Sequence, residues 1–123
     1  MLAKDVGEKL VEFCNAGTPE QAVTELYADN IVSIEPQMDA QDVGGIVEGM
    51  PALLEKHAQW DANMEVHESI AEGPYLGRNP DEFVVKFAMQ GTPRGGERQH
   101  MQEVGRYTVV QGKIVREEFM YLN

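Results

Sequence analysis

Apolar positions in the first quarter of the chain recur at helical spacing. Val6, Leu10, Phe13 and Cys14 share one face, with Asp5, Glu8, Lys9 and Glu12 off it, and Gly17 follows as a stop. Thr18-Pro19-Glu20-Gln21 then reads as a second start: Thr18 as cap, Pro19 in the first turn, Gln21 completing a capping box. Ala22, Val23, Leu26 and Tyr27 form the stripe of that helix, and Asp29-Asn30 closes it. Ile31 to Glu35 is a short apolar strand stopped by Pro36. Gln37 to Glu48 is polar, contains Gly44-Gly45 and lies beside Glu35, which suits a loop acting as a lid. Gly49-Met50-Pro51 opens a third helix reaching Trp60 or Asp61, with Leu53, Leu54, His57 and Trp60 or Asp61 expected inward.

From Met64 the period falls to two. Met64, Val66, Glu68 and Ile70 alternate with Glu65, His67, Ser69 and Ala71. After a turn region from Gly73 to Asp81, Phe83, Val85, Phe87 and Met89 alternate with Val84, Lys86, Ala88 and Gln90. Beyond a second turn from Gly91 to Glu97, Met101, Glu103, Gly105, Tyr107 and Val109 form the next register. Gln111-Gly112 is a two-residue hairpin turn, and Ile114 to Tyr121 is the last strand. Helices first and antiparallel strands afterwards predict an α+β fold, with three N-terminal helices packed on one face of a strand meander. Such a sheet twists; if it also curves strongly, its concave face and the helices enclose a cone with a pocket.

The length of 123 residues suits a single domain spanning 1–123. The formal net charge of −11 disfavours nucleic acid and anionic membrane surfaces as partners. Arg94 and Arg98 sit in a Gly-rich turn and read as a soluble hairpin tip. Cys14 is the one cysteine, so no intrachain disulfide forms, which fits a reducing compartment. The first residues lack the apolar run of a signal peptide, and no stretch reaches the ~20 apolar residues of a membrane span, so a cytoplasmic protein is expected.

Two readings of Glu35 stand open. It is a solvated strand end, or an acid at the rim of an apolar cavity, where loss of hydration would raise its pKa and make it a useful base. Glu103, Tyr107, Glu117, Phe119 and Tyr121 have parities that can share the concave face. Two acids and two tyrosines there imply either a polar pocket or a hydrogen-bonded structural network. Inward-pointing Glu103 would titrate together with Glu35, and Tyr121 offers a phenol to a developing oxyanion. His57 reads either as a site residue or as a half-buried helix side chain, and Trp60 as core or cone wall. Phe87, Met89 and Met101 supply apolar lining. His57, His67 and His100 stand too far apart for a metal-ligand motif, and Cys14 has no evident partner, which makes it a packing residue. No phosphate loop or nucleophile elbow is present.

The stretches FCNAG (Phe13 to Gly17), LYADNIVSIEP (Leu26 to Pro36), VEGMPALL (Val47 to Leu54) and GKIVREEFMY (Gly112 to Tyr121) occur in an order that resembles the nuclear-transport-factor-2-like superfamily. Within it the chain looks like a SnoaL-like or ketosteroid-isomerase-like domain. The resemblance implies a cystatin-like roll and a small hydrophobic organic ligand handled without a cofactor; the histidine spacing makes a metal site improbable, although the acids and His57 could converge in space. It also implies a homodimer through the outward sheet face, where Val84, Ala88, Val104 and Thr108 lie. Glu35 occupies the place of the carboxylate base of the steroid isomerases. Their first-helix tyrosine donor aligns with Leu10, and their protonated aspartate donor falls near Gly105, two residues after Glu103. The cyclases' aspartate near the end of the last strand falls in Phe119-Met120-Tyr121-Leu122. The resulting expectation is an isomerase, cyclase or dehydratase acting by proton transfer on a hydrophobic carbonyl compound. Its candidate catalytic residues are Glu35, Glu103, Tyr121 and His57; its candidate ligand-binding residues are Trp60, Phe87, Met89, Met101, Tyr107, Glu117 and Phe119. The alternative is a non-catalytic binding or assembly module of the same fold.

Overall fold

In the computed structural model, which describes residues 1–37 and 45–122, the elements run in the expected order. They are α1 (Ala3–Asn15), α2 (Pro19–Leu26), β1 (Tyr27–Ile34), β2 (Ile46–Glu48), α3 (Met50–Asn63), β3 (Met64–Tyr75), β4 (Glu82–Pro93), β5 (Gln99–Val110) and β6 (Lys113–Tyr121). The sheet order is β2-β1-β6-β5-β4-β3. The α+β class stands, with one refinement: β1 lies parallel to β6, so the sheet is mixed. That pairing brings β6 beside the strand that leads into Glu35.

Helix α1 buries Ala3, Val6, Gly7 and Leu10. Gly7 permits its close seat on the sheet, since a Cβ there would lie 2.7 Å from Pro74 Cβ and 3.0 Å from the Phe83 ring. At the other end of α1 the Asn15 amide accepts from the Ala71 N–H (2.8 Å) and donates to the Ala71 carbonyl (2.9 Å). One side chain thus completes the backbone pairing of edge strand β3, where open N–H and C=O groups would otherwise invite another strand.

Several local expectations change. Thr18 does not cap α2; its hydroxyl donates to the Phe13 carbonyl at 3.1 Å, and Gln21 reaches Glu25 instead of closing a capping box. Helix α2 ends at Leu26, and Tyr27 already belongs to β1, because its ring enters the core from a strand. A register shift between Tyr27 and Val32 leaves Asp29 and Asn30 outside the ladder with β6. Strand β3 continues past Gly73 to Tyr75, with a register irregularity after Glu72. The predicted loop from Gln37 to Glu48 contains β2, which pairs antiparallel with β1, and the Gly45 carbonyl accepts from the Glu35 N–H at 2.7 Å. The lid reading rests mainly on residues 38–44, which lie outside the described residues. At the β5–β6 turn, Gln111 (φ 51°) and Gly112 (φ 77°) are both left-handed, as a type I′ hairpin requires.

Helix α3 departs most from its amphipathic reading. Leu53 is fully buried, but Leu54 is 52% and Trp60 43% exposed. Its inward side passes through Leu53, Lys56 and His57. The core joins Leu26, Ile31, Leu53, Phe83, Val85, Tyr107 and Ile114 from both helices and sheet. Among the described residues no helix is long and apolar enough to cross a membrane.

Candidate functional site

Strand pairing arranges the helix-facing side of the sheet in rows that grow more open along the strands. In the deepest row Phe83 is level with Tyr107, Tyr107 with Glu117, and Glu117 with Ser33 on β1. All four are buried, and Phe83 stacks on Tyr107 with ring centroids 5.0 Å apart. The next row is Val85, Gly105 and Phe119, the last half-buried. Then come Phe87, Glu103 and Tyr121, and finally Met89 opposite Met101. Gly105 has room for no side chain: a Cβ would meet the Tyr107 ring at 2.8 Å and the Phe119 ring at 3.0 Å. The tilted Phe87–Phe119 pair and the edge-on Tyr107–Phe119 pair, 6.4 and 6.3 Å between centroids, make the aromatic wall.

A chain of polar groups crosses this wall. Glu117 is 1% exposed, yet both its carboxylate oxygens are satisfied. Tyr27 Oη donates to Oε1 at 2.5 Å and Ser33 Oγ donates to Oε2 at 2.7 Å. The Tyr107 hydroxyl is hydrogen-bonded to Tyr27 in turn. From α3, Lys56 Nζ donates to Ser33 Oγ at 2.9 Å and pairs with Glu35 Oε1 at 2.7 Å. The Lys56 ammonium also stands 5.8 Å from the centre of the Phe119 ring. Glu35 and Lys56 side chains are each 27% exposed, so the network begins at the cluster's accessible edge and ends in the core. Among the described residues no buried side-chain nitrogen or oxygen lacks a partner.

The dry wall makes ionisation costly. Burial, then the charges of Glu35 and Glu117, push the Glu103 carboxyl up from its ordinary 4.5 to about 7, with Lys56 partly offsetting them. Burial first, and Glu117 second, raise the Tyr27 and Tyr107 phenols well above their usual range and the Cys14 thiol to about 11. Cys14 is therefore a packed thiol and no nucleophile.

Glu103 has a measurable consequence for stability. Between pH 4.5 and about 7 the unfolded chain releases this proton before the folded chain does. The unfolded state then binds fewer protons, so stability falls as pH rises through that window and levels off above it. Allowing for partial solvent screening, the contribution is about 2 kcal/mol. Glu103→Gln is expected to unfold at higher urea than the native chain at pH 8 and to match it near pH 4.5. Parallel stability curves for the two proteins would show that burial does not penalise this carboxylate.

The family model of the SnoaL-like domain matches residues 1–121. The chain belongs to the SnoaL-like domain family. A Mesorhizobium loti protein named as a candidate SnoaL-like polyketide cyclase, with carbohydrate phosphatase as a bracketed second name, is 36% identical. Its structure superposes with a TM-score of 0.88 over 98% of this chain and 100% of that one. A Xanthomonas campestris protein of unknown function with a cystatin-like fold shares 14% identity at a TM-score of 0.70, over 100% and 92% of the two chains. TerC, solved with polyporic acid, shares 17% identity at 0.65, over 90% and 84%. The last two similarities show the fold. No curated protein matches the chain.

Against this SnoaL-like frame, the expected site residues divide. The charge of Glu35 acts on Glu103, and Phe87, Phe119, Met89 and Met101 lie half-buried on the same face. Tyr107 and Glu117, expected to touch a ligand, sit a row too deep, with their polar atoms engaged in the core. Tyr121 is 45% exposed at the strand end opposite Glu103, so the phenols within the cluster are Tyr27 and Tyr107 instead. His57 is half-buried, but the polar contact of α3 to the cluster runs through its neighbour Lys56. Trp60 is an exposed residue of α3 and not a buried wall. Glu35 is not alone in an apolar wall, because Lys56 is its counter-ion.

The residues that sequence reasoning missed are Tyr27, Ser33 and Lys56. Ser33 carried a usable signal, a hydroxyl between Ile31 and Glu35 on the same strand parity. A separate concavity of about 110 Å³ lies at the β3–β4 turn, lined by Tyr75, Arg78, Glu82, Phe83 and Arg106 among others, away from the acid cluster. Among the described residues no group of three or more His, Cys, Asp or Glu is arranged to hold a metal ion.

Proposed function

We propose that this SnoaL-like protein is a cofactor-independent proton-transfer enzyme of isomerase, cyclase or dehydratase type, acting on a hydrophobic carbonyl compound. The observation that carries the reading is one half-open apolar wall holding two coupled acids of different character. Glu35 is ion-paired with Lys56, and Glu103 holds its proton to about pH 7. Environments that separate two carboxyls in this way suit one to act as base and the other as acid. Glu35 removes a proton next to the carbonyl. The electron pair of that C–H bond moves to the oxygen, and protonated Glu103 donates a hydrogen bond to it. The ligand space in this reading lies in front of Phe87, Phe119, Met89 and Met101, which are half-buried on one face. TerC, which shares the fold and was co-crystallised with polyporic acid, supports a small organic ligand. The test is turnover of a panel of enolisable ketones and lactones by the native chain and by Glu35→Gln.

A second reading is a binding module without chemistry. Leu10 and the surroundings of Gly105 favour it, since by the resemblance the steroid isomerases carry oxyanion donors at or near these positions and neither residue can donate from a side chain. Ligands that raise the melting temperature without being turned over would decide for it.

We also propose a homodimer through the outward sheet face. Val84, Ala88, Val104 and Thr108 are all half-buried there, and Ile70 and Met120 add exposed apolar surface. Sedimentation is expected to give twice the 13.7 kDa chain mass, and Val104→Arg to give the monomer. A monomeric native chain would end this assignment. The charge of −11 and the lone cysteine fit a cytoplasmic protein that does not bind nucleic acid.

A further inference from the structure

The acid cluster contains a cation to which the proton-transfer reading gives no contact with the substrate. Lys56 comes from α3, faces the sheet and makes two polar contacts, 2.7 Å to Glu35 Oε1 and 2.9 Å to Ser33 Oγ. An ammonium has three donors; among the described residues these contacts occupy two. The group stands 5.8 Å from the Phe119 ring centre, on the same wall as Phe87 and Glu103. It is held in place at both ends of its reach, by a carboxylate at the accessible edge and by a hydroxyl fixed to buried Glu117. Leu10 is buried and apolar, and the space at Gly105 is filled by two rings, so neither position offers a side-chain donor to the face.

We propose that Lys56 is the cationic oxyanion partner of this site, beside the Glu103 hydrogen-bond donor, and that the ligand is a flat, weakly acidic carbonyl compound or phenol bound as its enolate or phenolate. The proposal rests on the concave face being the ligand site. Charge explains why the acid must be weak. A permanently anionic ligand would meet Glu35, Glu103 and Glu117 against a single ammonium among the charges that act there. A neutral enol brings its own proton. Its O–H bond breaks, the proton passes to a carboxylate of the Glu35/Glu103 pair, and the oxygen keeps the electron pair opposite Lys56. No net charge enters the site. The planar body of the ligand lies against Phe119 and Phe87. An ammonium serves better here than a neutral donor, because a charge-assisted hydrogen bond is about twice as strong.

The experiment uses benzoylacetone, whose enolate absorbs at longer wavelength than its neutral forms, titrated into the native chain, Lys56→Met and Lys56→Arg at neutral pH. Melting curves of all three verify folding, and perturbation of the Phe87 and Phe119 ring signals in NMR locates the bound molecule. The native chain is expected to bind with an enolate band. Lys56→Met should lose the band and bind at least about 10-fold more weakly, while Lys56→Arg keeps the band. Butyrophenone, which has no acidic enol of comparable strength, should bind native and Lys56→Met alike. Equal binding of benzoylacetone to native and Lys56→Met, or binding without the enolate band, overturns the role of Lys56 and leaves the concave ligand site intact. Preferential binding of phenethylamine, lost in Glu103→Gln, overturns it in favour of a cation site. No perturbation of Phe87 or Phe119 by any of these compounds removes the ligand site, and the proposal with it.

Discussion

Glu117→Leu is expected to destabilise the fold by about 3–5 kcal/mol. The carboxylate is wholly buried and accepts from both Tyr27 and Ser33, so its removal strands two hydroxyls in the core. Each stranded donor costs about 1–3 kcal/mol, since water cannot replace the lost acceptor. Lys56 also loses the hydroxyl orientation it donates to, because the Ser33 proton no longer has a fixed target. Leucine fills most of the volume, so the loss measures polar satisfaction more than a cavity. Glu117→Gln keeps one acceptor oxygen but turns an N–H against a donor, and it should fall between the two. The diagnostic partner is Tyr27→Phe. Alone it should cost about 1–2 kcal/mol, but combined with Glu117→Leu it should recover part of the loss, because the stranded hydroxyl is gone. Urea unfolding measures the native chain and all four variants. A loss below about 1 kcal/mol for Glu117→Leu, or simple additivity with Tyr27→Phe, would mean that water reaches Glu117 and the network is not sealed.

This network also explains what could be read from the chain and what could not. Alternation placed Phe87, Glu103, Tyr107, Glu117 and Phe119 on one face, and the ladder confirms that face for each. Parity cannot tell depth along a strand, so Glu117 and Tyr107 looked like ligand contacts although they lie in the deepest row. Depth is set by where α1 and α3 cross the sheet, a matter of packing. Tyr27 was hidden because a helical stripe and a strand start both explain an aromatic after Leu26, and only the β1–β6 pairing separates them. Lys56 was hidden for a related reason. A lysine next to Glu55 on an amphipathic helix reads as a solvated face, and α3 is rotated so that Leu54 and Trp60 take that face instead. A lysine can lay an apolar stem along the wall and bring its charge to Glu35, which no periodicity reports. Glu35 itself was legible as an acid ending an apolar strand; the ion pair that defines its chemistry comes from a different element.

Glu35→Gln is expected to lower turnover of any enolisable substrate found by about 10²–10⁴-fold. Glutamine has nearly the shape of the carboxylate and can still accept from Lys56 through its amide oxygen, so the ion pair becomes a hydrogen bond and the fold is retained. What it cannot do is take up a proton, and that isolates the basic role from the structural one. The half-exposed pair contributes little to stability, about 1 kcal/mol at most, so the melting temperature should barely move while turnover collapses. The kinetic signature separates base from binder. Loss of a base lowers kcat with KM little changed, whereas loss of a binding contact raises KM. Glu103 supplies an independent check through pH. Its carboxyl is protonated below about 7, and the oxyanion donor is lost above that value, so native kcat should fall on the alkaline side with an apparent pKa near 7. In Glu103→Gln the side-chain amide still donates at every pH, and the alkaline fall should disappear at a reduced plateau. Unchanged turnover in Glu35→Gln would move the base elsewhere on the wall, and Glu103 would be the next carboxylate to test. An alkaline limb that survives in Glu103→Gln would remove Glu103 as the acid.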